Sequence, residues 1–304
     1  MNPYLVPGME GRPLAPLCPF QIDEHEDYYV PVDHCQQAFE EFQELIGDVA
    51  AQGGLVVTTG QRGCGKTSLI NRCASWLSGQ LDKAQIISLV DESSPSDPIE
   101  YRLRHVFSCV LDDVRSRQLL DADQLKGLED RTDNLELGYR QLSSLLDPGT
   151  VLIILLPHSE DLTKEIAHYA RFTRPRLVFF AESSYPDNVD RRWKDIAEAC
   201  RVTPLLLRVG PLSEGDGWRF ARARQERSEL HPDAGVYRRV SEETMQRVTA
   251  LPMSIGQLQN LLHGVYEEQR RDPPADDALE LSYEEITDYF FRRSMDAGGQ
   301  GSTL

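Results

Sequence analysis

The sequence predicts an α/β fold in which a parallel sheet is covered by helices on both faces and is followed by a small all-helical domain. Five short apolar runs, too continuous for half-solvated strands, alternate with segments of helical periodicity. A glycine-rich loop joins the first run to a helix, and no strand pattern follows residue 210. We expect an irregular N-terminal arm at 1–33, the α/β domain at 34–209, the helical domain at 210–295 and a disordered tail at 296–304.

The individual elements follow from apolar spacing and from residues that begin or end helices. The predicted strands are 54–59, 84–90, 150–156, 176–181 and 204–209. Within the α/β domain, the predicted helices are 33–51, 68–77 and one that begins at Asp97-Pro98 and ends at Leu120, with a charged helical stretch at 121–147. The later helices are predicted at 213–228, 241–250, 254–271 and 282–295.

Composition indicates a globular protein of the cytoplasm. The chain has 304 residues with 40% hydrophobic content, enough for a large core and a smaller one. No stretch reaches the roughly 18 apolar residues of a membrane helix, and the N-terminus lacks a signal-peptide pattern. Six cysteines are scattered without a C-x-x-C pair, which predicts a reducing compartment and no structural metal. A net charge of −17 opposes nucleic-acid binding unless basic residues gather on one face.

Residues 60–67 form a phosphate-binding loop that fits the pattern G-x-x-x-x-G-K-[ST]. The loop lies between an apolar strand and a helix, as this motif requires. Its glycines allow backbone N–H groups to surround phosphates, while Lys66 adds charge and the hydroxyl of Thr67 is placed to ligate Mg²⁺. We therefore expect ATP or ADP with Mg²⁺ as ligands. The expected binding residues are Gly60, Gln61, Arg62, Gly63, Cys64, Gly65, Lys66, Thr67 and Ser68.

The order of these parts resembles the AAA+ superfamily, and most closely its origin-recognition-like and STAND-type branch. The loop carries the resemblance, together with Gly210-Pro211-Leu212-Ser213 at the entrance to the helical domain. The resemblance implies that 150–156 is the Walker B strand. It also implies that 176–184 is the sensor-1 strand, with Ser183 or Ser184 at its polar tip, and that 255–259 begins the sensor-2 helix.

The chain departs from the family pattern where catalysis would need acids. A Walker B strand should end in one acid that holds Mg²⁺ and a second that orients water, but Leu156, Pro157 and His158 occupy those places. The next acids, Glu160 and Asp161, are expected in the first turn of the following helix. No arginine lies near Gln259 for sensor 2. Arg201 is placed where this branch can carry an arginine finger.

A second assignment of the Walker B acids would allow ATP hydrolysis. Residues 86–92 also fit an apolar run followed by two acids, and then Asp91 would hold Mg²⁺ and Glu92 would act as base. The AAA+ strand order, however, implies that this strand lies at the sheet edge, about 14 Å from the loop strand. The candidates for catalysis are Lys66 and Thr67, followed by Asp91, Glu92, His158 and Arg201.

The functional expectation is a nucleotide-dependent switch or assembly factor with slow or absent ATP hydrolysis. We expect it to act with a protein partner, to be able to form a homo-oligomer and to have no membrane association. The alternative is a competent ATPase motor or loader that acts on nucleic acid or on a protein complex. The basic helix at 218–227 either contacts such a partner or exposes solvated arginines over core aromatics. The sequence has no guanine-reading N/T-K-x-D motif, which disfavours a GTPase.

Overall fold

A computed structural model describes residues 2–9, 11–90, 92, 98–158, 162–229, 237–271 and 280–299. The chain forms two compact units. Unit 1 comprises Met1–Gln36, Arg62–Gly65 and Gly210–Leu304, and unit 2 comprises Gln37–Gln61 and Lys66–Val209. Over the described ranges, no helix combines the length and apolarity needed to cross a membrane.

Unit 2 is built on a five-stranded sheet in which every neighbouring pair is parallel. The strands are β1 (Gly54–Thr59), β2 (Lys83–Ser88), β3 (Thr150–Leu155), β4 (Leu177–Ser183) and β5 (Leu205–Arg208). Their order is β2-β3-β4-β1-β5, so β2 lies at an edge, three strands from the loop strand β1. The α/β fold with a parallel sheet is therefore confirmed, and the expected edge position of β2 is found.

Helices cover the sheet, although two of the predicted helical stretches are interrupted. Asp48 accepts a hydrogen bond from the N–H of Ala51 at 3.1 Å and begins a new helix, which splits the helix predicted at 33–51. The stretch at 121–147 likewise divides, because Asp121 and Asn134 each cap a separate helix. The helices are α1 (Cys35–Leu45), α2 (Val49–Gln52), α3 (Lys66–Gly79), α4 (Ile99–Ser116), α5 (Ala122–Glu129), α6 (Leu135–Leu145), α7 (Leu162–Phe172) and α8 (Pro186–Ala199).

Strand β4 shows how both sheet faces become buried. All seven of its residues are buried, and alternate side chains point to opposite faces. Phe179 contacts Tyr139 of α6 and Tyr169 of α7, whereas Phe180 contacts Phe42 of α1. This two-sided burial explains why the strands read as continuous apolar runs.

In its described residues, unit 1 contains four α-helices and a short 3-10 helix (Asp23–Tyr28). The helices are α9 (Asp216–Glu229), α10 (Glu242–Val248), α11 (Ile255–Arg271) and α12 (Tyr283–Gly299). It also contains a parallel pair of two-residue strands, β6 (Arg239–Val240) and β7 (Glu280–Leu281), which are too short to show a period in the sequence. Helix α12 reaches into the segment for which we expected a disordered tail, and residues 300–304 lie outside the described residues.

The N-terminal arm contributes to the core of unit 1. Tyr4 is fully buried, with its ring against Phe220 of α9 and Tyr266 of α11. The side chain of Gln259 donates to the carbonyl oxygen of Tyr4. Asn2 in turn donates to the carbonyl oxygen of His263 at 2.9 Å. Irregular backbone at this end is therefore fixed by side chains of α11.

Candidate functional site

The phosphate-binding loop starts directly from the carboxyl end of β1. The N–H of Gly60 donates to the carbonyl oxygen of Ser183 at 3.2 Å, and a Cβ at Gly60 would lie 2.5 Å from the carbonyl oxygen of Val209. Gly63 and Gly65 have φ values of 84° and 72°, in the region that glycine adopts without steric cost. The backbone of this loop thus requires glycine where the motif supplies it.

Lys66 is held against the first residues of the loop. Its side chain is buried, and Nζ donates to the carbonyl oxygens of Gly60 at 3.0 Å and Gln61 at 2.9 Å. Lys66 is the first residue of α3, so the ammonium group and the positive end of the helix dipole lie together. This combination attracts phosphate groups.

Thr67, the residue expected to ligate Mg²⁺, contacts a carboxylate that the sequence analysis did not identify. Its hydroxyl donates to Oε2 of Glu182 at 2.8 Å. Glu182 lies near the carboxyl end of β4, in register with Thr58 of the neighbouring strand β1. Alternation along β4 puts Glu182 on the same face as Phe180, which packs on α1. The side chain of Glu182 is only 7% exposed.

His158 completes this polar cluster. Its Nδ1 lies 2.5 Å from Oε1 of Glu182. It follows β3, the strand on the other side of β4, and its side chain is 54% exposed. Leu156 and Pro157, which stand between β3 and His158, are buried and cannot supply a carboxylate. The acid at Thr67 therefore comes from β4, and not from the end of β3 where a Walker B acid was expected.

The chemistry of these side chains fits a magnesium nucleotide. Mg²⁺ prefers oxygen ligands, and a hydroxyl with a neighbouring carboxylate is a common set for it. Thr67 and Glu182 are the residues that would hold the ion, with Lys66 and the loop backbone around the phosphates. Bound Mg²⁺ would neutralise phosphate charge, and no covalent participation by this chain is needed for binding.

The remaining candidate residues lie away from Thr67 or are engaged otherwise. Ser183 accepts a hydrogen bond from the N–H of Tyr185 at 3.2 Å, and Ser184 is exposed. Arg201 follows α8 and is exposed. Burial lowers the pKa of Arg174, and the positive charge of Arg201 lowers it further. Glu92 follows the edge strand β2, where its carbonyl oxygen lies 2.9 Å from Nε2 of His105. Asp91, Glu160 and Asp161 lie outside the described residues.

The tip of the loop, Arg62–Gly65, belongs to unit 1. The carbonyl oxygen of Gly63 accepts a 2.9 Å hydrogen bond from the N–H of Gly256 in the first turn of α11. Ser254 begins that helix with a capping box, in which its hydroxyl accepts from Gln257 N–H at 3.2 Å and its own N–H donates to Gln257 Oε1 at 2.9 Å. Gln259, near which the resemblance implied an arginine, is buried and bonded to the arm instead.

Asp33 is a buried carboxyl group beside Gly65 in unit 1. A Cβ at Gly65 would lie 3.4 Å from Oδ2 of Asp33. The pKa of Asp33 is raised to about 7, chiefly by burial; hydrogen bonding to Cys35 lowers it, and the charge of Asp216 adds to the rise. Asp216 accepts from the N–H of Asp33 at 3.1 Å, which places the second carboxylate close by. No local sequence pattern indicates this pair, because the two residues are far apart along the chain.

Three solved structures have a fold similar to that of this chain. The ORC1 protein of Aeropyrum pernix, solved in complex with DNA, matches with a TM-score of 0.54 at 14% identity, over 88% of this chain and 67% of that one. CDC6P from Pyrobaculum aerophilum matches with a TM-score of 0.52 at 12% identity, over 89% and 71%. A Walker-type ATPase of Pyrococcus abyssi matches with a TM-score of 0.50 at 15% identity, over 94% and 78%.

These similarities show that the chain shares the fold of the ORC1 and CDC6P proteins. At such identities the comparison shows the fold alone. The predicted fold is confirmed, and membership of the AAA+ superfamily stays a prediction. No family model matches the sequence, and no curated protein matches it.

Proposed function

We propose that this chain binds ATP or ADP with Mg²⁺ and acts as a nucleotide-dependent switch or assembly factor. The contact between Thr67 and Glu182 is the observation that carries the proposal. Glu182 places a carboxylate beside a phosphate loop that fits its motif completely. The strand that corresponds to Walker B, β3, is followed by no acid up to His158. Structural neighbours of the same fold include a protein described as a Walker-type ATPase, which supports nucleotide as the ligand.

The contacts of Glu182 support slow intrinsic ATP hydrolysis. Rapid hydrolysis needs one acid for the metal and a second group that orients the attacking water. Glu182 contacts Thr67 with one oxygen and His158 with the other, so it serves the metal position. Among the described residues after β3 there is no acid up to His158. The site accordingly retains nucleotide better than it cleaves it.

The ion pairs of the arginines on the basic helix α9 support a protein partner over nucleic acid. Arg219 pairs with Asp216 at 2.5 Å, Arg222 with Glu226 at 2.7 Å and Arg227 with Asp27 at 2.5 Å. Neutralised arginines give a weaker attraction to phosphate backbone than a free basic face would. Nucleotide occupancy would then bias a surface for a protein partner or for another copy of the chain.

Phosphate release from Mg-ATP, measured beside a binding titration on the same sample, tests this function. A Lys66→Ala variant is the control, with circular dichroism to verify that it folds. We expect saturable ATP binding by the unaltered chain, weaker binding by the variant and no release above the variant. Failure of the folded, unaltered chain to bind ATP or ADP would overturn the proposal.

A competent ATPase is the second candidate, because His158 and Glu182 form a polar pair at the metal position. It would act on nucleic acid or on a protein complex, and the DNA complex of the ORC1 protein makes DNA the first effector to add. Phosphate release that depends on Lys66 and rises with DNA would favour it. A further loss of rate in Asp91→Ala or Glu92→Ala would point to the edge-strand acids instead.

A further inference from the structure

A cluster of metal-ligating side chains lies at the edge of unit 2, away from the phosphate loop. It consists of Glu92 after β2 and of His105 and Cys109 on α4. One ligand atom from each residue lies within 4.8 Å of the other two. Strand β2 is three strands from β1, so the cluster is separate from the site at Thr67.

The backbone fixes two of the three side chains. His105 and Cys109 are four residues apart and therefore share one face of α4. The opposite face of that helix is packed into the core through Val106, Phe107 and Val110, which are at most 1% exposed. A helix held in this way presents both side chains with little freedom.

The distances within the cluster suit one tetrahedral ion. Sγ of Cys109 lies 3.6 Å from Nε2 and 3.9 Å from Nδ1 of His105. Ligand bonds of about 2.3 Å to sulfur and about 2.0 Å to nitrogen, at a tetrahedral angle, separate the two atoms by about 3.6 Å. The 3.9 Å between Sγ and Nδ1 is therefore close to the separation that one ion requires. Glu92 is exposed, and one of its carboxylate oxygens lies within 4.8 Å of a ligand atom of each of the other two residues.

The hydrogen bond of His105 prepares the ring for ligation. Nε2 lies 2.9 Å from the carbonyl oxygen of Glu92, so an N–H there donates to it and Nδ1 keeps a lone pair toward Cys109. A metal-bound histidine commonly donates its other ring N–H to a carbonyl or carboxylate in this way. The N–H of Glu92 also donates to the carbonyl oxygen of Leu89 at 3.1 Å, which holds the Glu92 backbone in place.

We propose that Glu92, His105 and Cys109 bind one zinc-class divalent cation, with a fourth position open to solvent. A thiolate, an imidazole and a carboxylate suit Zn²⁺ and disfavour Mg²⁺ and Ca²⁺, which take oxygen ligands. Binding replaces the thiol proton of Cys109, which is released to solvent as the sulfur–metal bond forms. The ion links the segment after β2 to α4. The proposed site departs from the expectation drawn from cysteine spacing, because an i, i+4 His/Cys pair is not a C-x-x-C pattern.

Zn²⁺ titration of the metal-free 304-residue chain by calorimetry, in millimolar Mg²⁺, tests the proposal. We expect one ion per chain and at least a roughly tenfold weaker affinity in His105→Asn, Cys109→Ser and Glu92→Gln. Cys200→Ser is the matched cysteine control, and Glu182→Gln controls for the nucleotide site; both should bind Zn²⁺ as the unaltered chain does.

Co²⁺ in place of Zn²⁺ identifies the ligands directly. Absorption should show tetrahedral ligand-field bands and a sulfur-to-metal charge-transfer band. The charge-transfer band should disappear in Cys109→Ser and remain in Cys200→Ser. Absence of stoichiometric binding, or equal binding by the folded Cys109→Ser and His105→Asn variants, would overturn the proposal.

Discussion

The hydroxyl of Thr67 donates a 2.8 Å hydrogen bond to Glu182 and so joins the first turn of α3 to the carboxyl end of β4. The acid beside the phosphate loop is thus carried by the strand that neighbours β1. Because the resemblance assigned β4 to sensor 1, this contact gives that strand a metal-holding role in the proposed mechanism. Glu182 is then the residue whose replacement separates metal binding from phosphate binding.

Glu182→Gln should weaken ATP binding only when Mg²⁺ is present. The amide keeps a hydrogen-bond acceptor for Thr67 but removes the charge that attracts the ion. We expect the affinity gained on adding Mg²⁺ to fall about tenfold, which corresponds to about 1.4 kcal/mol. Calorimetry with Mg²⁺ and with EDTA measures this difference. Glu198→Gln, an exposed replacement on α8, should behave as the unaltered chain; equal Mg²⁺ dependence in both variants would count against the assignment.

Gly63→Ala should damage the phosphate loop beyond the cost of its backbone conformation. Its φ is 84°, and an added Cβ would lie 2.6 Å from the hydroxyl oxygen of Ser254. Gly149 has a φ of 83° with no atom within 4 Å of its added Cβ, which makes Gly149→Ala a matched control. Each variant loses about 1–2 kcal/mol of stability through the backbone. Only Gly63→Ala should also weaken ATP binding, by at least about tenfold in a titration; retained affinity would refute the role of this loop geometry.

Asp33 should make the folded state less stable as the pH rises toward neutrality. Its pKa is about 7 in the folded chain against 3.8 as the ordinary value, so between those values the folded state binds more protons. The contribution of Asp33 is complete below about pH 4 and is lost as pH rises through 7. Its size is on the order of 4 kcal/mol. Urea denaturation at several pH values should show this loss, relative to Asp33→Asn; parallel pH profiles for the two proteins would contradict the raised pKa.

Tyr4→Ala should destabilise unit 1 although Tyr4 lies in an irregular arm. The ring is fully buried between Phe220 and Tyr266, and truncation of a large aromatic core residue costs about 3–5 kcal/mol. Urea denaturation followed by tryptophan fluorescence measures the change, with Trp76→Phe and Trp193→Phe in the background so that Trp218 of α9 is the reporter. Leu14→Ala in the same arm is the control, because Leu14 is 58% exposed and should change stability by less than about 0.5 kcal/mol. A small loss in Tyr4→Ala would show that the arm is dispensable.

The sheet and the phosphate loop could be predicted because local pattern determines both. Strands buried on two faces produce continuous apolar runs, and Gly63 and Gly65 report backbone conformations that other residues avoid. Helix interruptions were harder, since Asp48 acts as a cap only through its side-chain geometry. The β6–β7 pair depends on chain segments brought together by folding, and two residues per strand carry no period.

Glu182 could not be assigned from the sequence, although one signal was present. A lone acid within an otherwise buried apolar strand must have a partner, because an unpaired buried charge is costly. Its partner Thr67 is distant along the chain, and only the order β4-β1 makes them neighbours. Asp33 and Asp216 were missed for the same reason. When a residue's role depends on a contact between distant parts of the chain, local sequence periodicity does not predict that role.

The measurement that tests the central claim most directly is a double-mutant cycle on the Mg²⁺-dependent part of ATP affinity. It compares the unaltered chain with Thr67→Val, Glu182→Gln and the combined variant. If the two side chains hold one ion together, the combined variant should lose little more affinity than either single variant. Losses that add, or a Mg²⁺ dependence that neither replacement changes, would contradict the assignment of Glu182 as the acid of this site.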